Sequence, residues 1–319
     1  MWGAIFPGQG SQHVGMGEFL FREFPQAKQR LEEASDALSL NFKKLCFEGS
    51  ESDLALTHNT QPALLLVSTM TLDVLKSEFD FHPRFSSGHS VGEYAAFVGA
   101  GVLNFADAMK AVRVRGQAMQ EAVPVGQGGM VAVMGPSPAE IKTLCEWAIK
   151  NSGQGPLEPA NFNAPGQIVI SGQQKCIDWL LANFKAEDVF GESKRIRLIP
   201  LKVSAPFHCS LMKPAEEKMR TVLERIDFKN AETPVVQNVP AEAMTEAPKL
   251  RENLILQISS PVRWVECIET LERSGVTRLV EVGSGKVLSG LVKKIAGDKL
   301  TTFNTTNLEE LKNLEKEFH

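Results

Sequence analysis

The sequence predicts an α/β fold: a mostly parallel sheet covered by helices, interrupted by an inserted β-α-β-β-α-β subdomain. Three observations carry this expectation. Short apolar runs of strand length alternate with longer runs at helical period, the pattern of a helix-covered parallel sheet. The rhythm changes after the glycine-rich "VGQGG" at 125–129 and returns near residue 199. The chain has 319 residues, 43% hydrophobic and 23% charged, enough to bury a substantial core in one large domain or one with an insert.

Taken in order, a strand at about 2–6 leads to helices near 18–36 and 60–77, a strand near 84–87, and helices near 91–100 and 104–122. "MVAVMG" (130–135) reads as a strand. The next helix opens with Ser137, Pro138 and Glu140, a capping box with proline at the first helical position. "EPANFN" (158–163) and "QIVISG" (167–172) read as strands paired around Ala164-Pro165-Gly166. A helix at about 173–185 and a strand in "RIRLIPLKV" (195–203) complete the insert. That order is the ferredoxin-like arrangement. It places a subdomain at 124–199 inside a core built from 1–123 and 200–319. The core resumes with a helix after Ser210, a strand in "PVVQN" (234–238), and helices near 247–257 and 261–274. It closes with the strand "TRLVEV" (277–282), a helix from Gly285 and a last helix after Asn307.

Composition excludes several classes of function. A formal net charge of −4 and a pI near 6.0 give no general basic field, which argues against nucleic acid as partner. Five scattered cysteines without CxxC pairs or nearby histidines predict reduced, buried thiols and no metal site. "MWGAIFPGQG" lacks the basic and apolar regions of a leader, and "PALLLVSTM" (62–70) is too short to span a bilayer. The expectation is a cytoplasmic protein, monomeric, with no membrane association and no cofactor.

Candidate chemistry begins at "GHSVG" (88–92). A serine with a small residue two positions away on each side fits the strand, elbow, helix turn that pushes a hydroxyl into a cleft, while a helix-capping serine would look the same. A hydroxyl nucleophile needs a base. His13, His58, His82 and His319 read as surface or structurally satisfied residues, and His89 diverges from its neighbour Ser90 at a tight turn. His208 ends an apolar loop after the 195–203 strand, which places it at a strand's C-terminal edge and makes it the candidate base; a packed histidine beneath a loop is the competing possibility. On the 104–122 helix, Arg115 flanks the apolar stripe while Arg113 points away. An inward guanidinium needs an anion, either a structural carboxylate or a ligand carboxylate held by its planar fork. The loop "FPGQGSQ" (6–12) completes no dinucleotide or P-loop pattern, nor does "GSGK" (283–286). Its backbone N–H groups, with that of Val91, suit an oxyanion hole instead.

"FPGQGSQ", "GHSVGEYAA", "VRVRGQAMQ", "NFNAPGQIVISG", "SAPFHCSLM", "SSPVRWVECI" and "EVGSGKVLSGL", in this order from end to end, resemble the malonyl-CoA:acyl carrier protein transacylase family. The resemblance implies an α/β-hydrolase-like core with a ferredoxin-like insert. It implies Ser90 as nucleophile, His208 as base, Arg115 as clamp for the malonyl carboxylate, and Gln9 with Val91 as backbone oxyanion donors. Gln257 matches the position whose main-chain carbonyl orients the histidine. Phe207 matches the bulky residue of malonyl-selective members, and Lys194, Arg195 and Arg197 match basic residues that would dock an acidic carrier protein. The implied reaction is ping-pong transfer of malonyl from malonyl-CoA to the carrier's phosphopantetheine thiol in fatty-acid biosynthesis, with malonyl-CoA as substrate. A serine thioesterase or hydrolase, a standalone polyketide acyltransferase, and a silent carrier-binding module are the rival readings.

Overall fold

The computed structural model describes residues 1–318, and His319 lies outside the described residues. The chain opens with β1 (Trp2–Phe6), α1 (Glu18–Glu23) and α2 (Pro25–Leu38). The sequence suggested one helix here. Pro25 sits in the first turn of α2 and drives Phe24 into extended geometry (φ −123°, ψ 123°), which breaks the run in two. A π-helical turn at Lys44–Glu48 and the short α3 (Glu51–Ala55), neither anticipated, lead to α4 (Thr57–Phe79), β2 (Phe85–Gly88), α5 (Gly92–Gly99) and α6 (Phe105–Glu121).

The next stretch holds β3 (Gly128–Met134), α7 (Pro138–Ser152), β4 (Leu157–Ala164), β5 (Gln167–Gln173), α8 (Gln174–Asn183), α9 (Ala186–Phe190) and β6 (Arg197–Pro200). The expected capping box is present: the Ser137 hydroxyl accepts from the Glu140 N–H and the Glu140 carboxylate from the Ser137 N–H. These four strands form an antiparallel sheet of order β4-β5-β3-β6. That is the order of a ferredoxin-like unit, with its own apolar cluster around Val131, Ile141 and Ile170.

The chain returns through α10 (Lys213–Leu223), β7 (Val235–Val236), β8 (Ala243–Met244), α11 (Ala247–Leu256), α12 (Trp264–Arg273), β9 (Arg278–Glu281), α13 (Val287–Ala296), β10 (Thr301–Asn304) and α14 (Leu308–Phe318). The main sheet runs β10-β9-β1-β2-β7-β8, parallel except for β8. Both faces are covered: Ala4 and Phe6 of β1 pack into one apolar cluster and Ile5 into another. Phe6 pairs with Gly88 and Ile5 with Glu281, so the C-terminal ends of β1, β2 and β9 lie side by side. The loops that leave them gather at one edge, where open α/β sheets form ligand sites.

One expectation fails. The strand read at 195–203 joins the insert's sheet as expected, but it stops at Pro200 and does not deliver His208 at its C-terminal edge. β6 spans only Arg197–Pro200, pairs with β3 on one side, and is largely exposed. Pro200 sits where its missing N–H would face the open edge, the last bond to β3 runs from the Leu201 N–H to the Met130 oxygen at 2.9 Å, and an irregular segment then leads to His208. All five cysteines are buried and unpaired with one another. Among the described residues no helix is long and apolar enough to cross a membrane.

Candidate active site

Ser90 is presented by the turn between β2 and α5. Its φ of 53° is left-handed, a conformation that costs a non-glycine residue about 1–3 kcal/mol and survives only where the surroundings enforce it. They do so by crowding. A Cβ added to Gly88 would lie 2.0 Å from the Gly92 carbonyl carbon, and one added to Gly92 would lie 2.2 Å from the Phe6 carbonyl oxygen. The glycine spacing is therefore a demand for space at the close crossing of β1, β2 and α5. The Ser90 N–H donates to Asn238 Oδ1 at 2.8 Å, and Asn238 Nδ2 donates to the Gly88 carbonyl at 2.7 Å, tying the elbow to the segment after β7.

The Ser90 hydroxyl lies 2.7 Å from His208 Nε2. His208 Nδ1 lies 2.9 Å from the main-chain oxygen of Gln257, an acceptor that must receive the Nδ1 proton. This fixes the tautomer and leaves Nε2 free to accept from Ser90. Burial and the neighbouring Arg115 guanidinium push the imidazole down to about 3, so it stays neutral at physiological pH. No carboxylate completes the pair; a peptide carbonyl does. His208 is itself left-handed, at φ 61°. His89 turns away, 2.8 Å from Asn163 Oδ1 and packed edge-on to Trp264. His13 and His82 are exposed and His58 half-buried, none of them near the serine's hydrogen bonds.

Arg115 is 1% exposed and faces inward from α6. Nη1 donates to Gln61 Oε1 at 2.9 Å, and Nη2 to Gln257 Oε1 at 2.8 Å and to Ser90 Oγ at 3.3 Å. Its Nε has no partner among the described residues. No carboxylate touches the guanidinium, so the structural salt bridge weighed from the sequence is absent among the described residues. The nearest buried acid is Glu93, on the far side of the Gln257 side chain. Burial pushes the Glu93 carboxyl up to about 8, with the Asn238 N–H and the Arg115 charge pulling it back. Arg113 points away, donating to the His58 carbonyl.

These groups open onto a cavity of about 170 Å³ whose lining includes Gln9, Ser90, Val91, Arg115, Phe207 and His208. Its opposite wall comes from the antiparallel sheet, through Met130, Asn161, Asn163 and Val169. Neighbouring amides are engaged, that of Gly10 by Gln12 and that of Gly92 by the His89 carbonyl. The Gln9 and Val91 amides donate to no protein acceptor among the described residues.

The candidate docking residues lie elsewhere. Lys194 is ion-paired with Glu140, the capping-box acid, which spends its charge locally; Arg195 and Arg197 are exposed. Three residues escaped the sequence reading: Gln61, Glu93 and Asn238. Glu93 left one trace, an acid in the first turn of an otherwise apolar helix. A single Gln on α4 and an Asn beyond a two-residue strand left none.

A half-buried serine paired with a buried histidine, beside a guanidinium that no carboxylate touches, can form an ester and bind an anionic acyl group in one chamber. The acyl transferase domain family matches residues 4–296. The malonyl CoA-acyl carrier protein transacylase of Bacillus subtilis is 47% identical over 292 residues, covering 91% of this chain and 89% of that protein. The crystal structure of the enzyme of that name from Clostridium perfringens superposes with a TM-score of 0.91 at 38% identity, covering 99% and 96% of the two chains. A malonyl-transacylase solved in complex with a type II PKS acyl-carrier protein superposes with a TM-score of 0.92 at 37% identity, covering 99% of each chain. This chain, an enzyme of acyl transfer, belongs to the malonyl CoA-acyl carrier protein transacylase family.

Proposed function

We propose that this enzyme moves a malonyl group from malonyl-CoA to the phosphopantetheine thiol of acyl carrier protein through a malonyl ester on Ser90. The observation that carries this reading is the convergence of His208 Nε2 and Arg115 Nη2 on one hydroxyl, at 2.7 and 3.3 Å. Ser90 Oγ attacks the thioester carbonyl as His208 Nε2 takes its proton. The negative charge that develops on the carbonyl oxygen meets the N–H groups of Gln9 and Val91. The tetrahedral intermediate collapses, the C–S bond breaks, and CoA leaves as the thiol with the proton from His208. In the second half, His208 takes the proton of the carrier's thiol, whose sulfur attacks the ester; Ser90 leaves and regains a proton.

Arg115 sets the choice of acyl group. A malonyl carboxylate pairs with the fork, whereas an acetyl group leaves a desolvated cation unmatched. Phe207, 8% exposed in the cavity wall, crowds an α-methyl branch. Arg195 and Arg197 steer the carrier protein from the exposed edge of β6, with Lys194 contributing little because Glu140 holds it. We further propose a monomer acting in cytoplasmic fatty-acid synthesis, with residues 124–199 as an inserted subdomain roofing the pocket. The relative solved with a polyketide carrier favours a second setting, polyketide synthesis with the same chemistry.

Peptide mass mapping after mixing with malonyl-CoA tests the reading: a malonyl adduct on Ser90 that chases onto a pantetheine thiol is expected. Release as free malonate faster than transfer would indicate a hydrolase, and no adduct would leave a binding module. Comparing fatty-acid and polyketide carriers as acceptors separates the two settings.

A further inference from the structure

The Gln257 side chain joins the serine to the guanidinium, and the carboxyl that holds it has no part in the steps above. Glu93 is fully buried; its Oε1 accepts from the Asn238 N–H at 2.9 Å and its Oε2 accepts from Gln257 Nε2. Gln257 Nε2 also donates to the Ser90 main-chain oxygen at 2.9 Å, which leaves Oε1 to receive Arg115 Nη2. The two ends of this amide are chemically distinct. Ionised Glu93 and the Ser90 carbonyl are acceptors and keep the NH2 end on their side, so the oxygen must face Arg115. Turned over, the amide would set donor against guanidinium and oxygen against two acceptors, inside a site where unmatched polar groups are costly.

We propose that Glu93 is a positioning residue for acyl selection: by fixing the orientation of the Gln257 amide, it holds the Arg115 fork where a substrate carboxylate meets it. This rests on the reading of Arg115 as the malonyl clamp. The arrangement solves a specific difficulty. A carboxylate in direct contact with Arg115 would occupy the fork, and a buried guanidinium without an acid nearby would be expensive. An acid one amide removed leaves the fork free and, once ionised, supports the cation. Arg115 on α6, the adjacent Tyr94 and Cys267 on α12 are the ionisable groups that share its field.

The isosteric variant Glu93→Gln presents an NH2 group to that of Gln257 and forces the amide over. Ser90 acylation by malonyl-CoA and by acetyl-CoA is followed by intact mass at about pH 8.5, above the raised value of the Glu93 carboxyl. The malonyl rate should fall about 10-fold to 100-fold, the penalty of a misplaced positioning group, and the acetyl rate by less than about threefold. Gln257→Met keeps the main-chain carbonyl on His208, loses the amide, and should shift the malonyl-to-acetyl ratio the same way; it carries the test if Glu93→Gln does not fold. Equal losses for both acyl groups, or no change in either, would overturn the proposal. Wild-type protein that forms no malonyl-Ser90 would overturn the clamp reading itself.

Discussion

At the scale of single residues, the proposed mechanism separates a step common to all acyl groups from one that selects among them. His208→Ala removes the proton acceptor 2.7 Å from Ser90, and acylation by any thioester should slow by about 10²-fold to 10⁴-fold in single-turnover kinetics. Arg115→Ala should lower malonyl transfer at least about 100-fold and raise acetyl transfer relative to it, read as a ratio of kcat/KM values. The two principal residues were legible for different reasons. Ser90 is declared by the glycines around it, and Arg115 by its place on the flank of an apolar stripe, since an inward cation has to be explained. Gln257 could be assigned only by resemblance, because a main-chain carbonyl leaves no mark on residue type. Gln61 and Asn238 were invisible for a related cause: uncharged amides occur anywhere, and their partners are 54 and 148 residues away in sequence.

At the scale of elements, the β2 elbow is the least tolerant part of the fold. Gly92→Ala drives a methyl group into the Phe6 carbonyl and should cost at least about 3 kcal/mol in urea unfolding, with loss of Ser90 acylation. Long periodic helices and apolar strands were readable, and the capping box fixed the start of α7 to the residue. β10 was not: "TTFN" is short and mostly polar, and only pairing with β9 makes it a strand. The 195–203 segment misled because its apolar alternation continues past Pro200, where β6 ends. That edge bears on carrier docking. Charge reversal at Arg195 and Arg197 should raise the KM for carrier protein, most strongly at low salt, whereas Lys194→Ala should leave it nearly unchanged.

At the scale of the whole molecule, a pocket walled by two sheets holds ionisable groups far from water, and stability inherits their titration. His208 and His89 are both pushed down by burial, so between the ordinary value of 6.5 and about 3 the unfolded chain binds protons that folded His208 does not. Through that window the His208 contribution to stability falls as pH drops, by up to about 1.4 kcal/mol per pH unit, and His89 acts in the same direction. Glu93 has the opposite sign: its folded value near 8 exceeds 4.5, so the unfolded chain sheds its proton first and stability falls as pH rises. The stability of His208→Gln relative to wild type should therefore improve as pH is lowered from 6.5, measured by urea unfolding at each pH. The buried cysteines have a separate consequence. Burial holds Cys46 and Cys145 up at about 12 and raises the other three, so none offers a thiolate to solvent. A protein that handles activated sulfur esters all its life is thereby deaf to thioester exchange with its own sulfurs. With Ser90 as the proposed nucleophile, labelling by malonyl-CoA should saturate at a single group per chain.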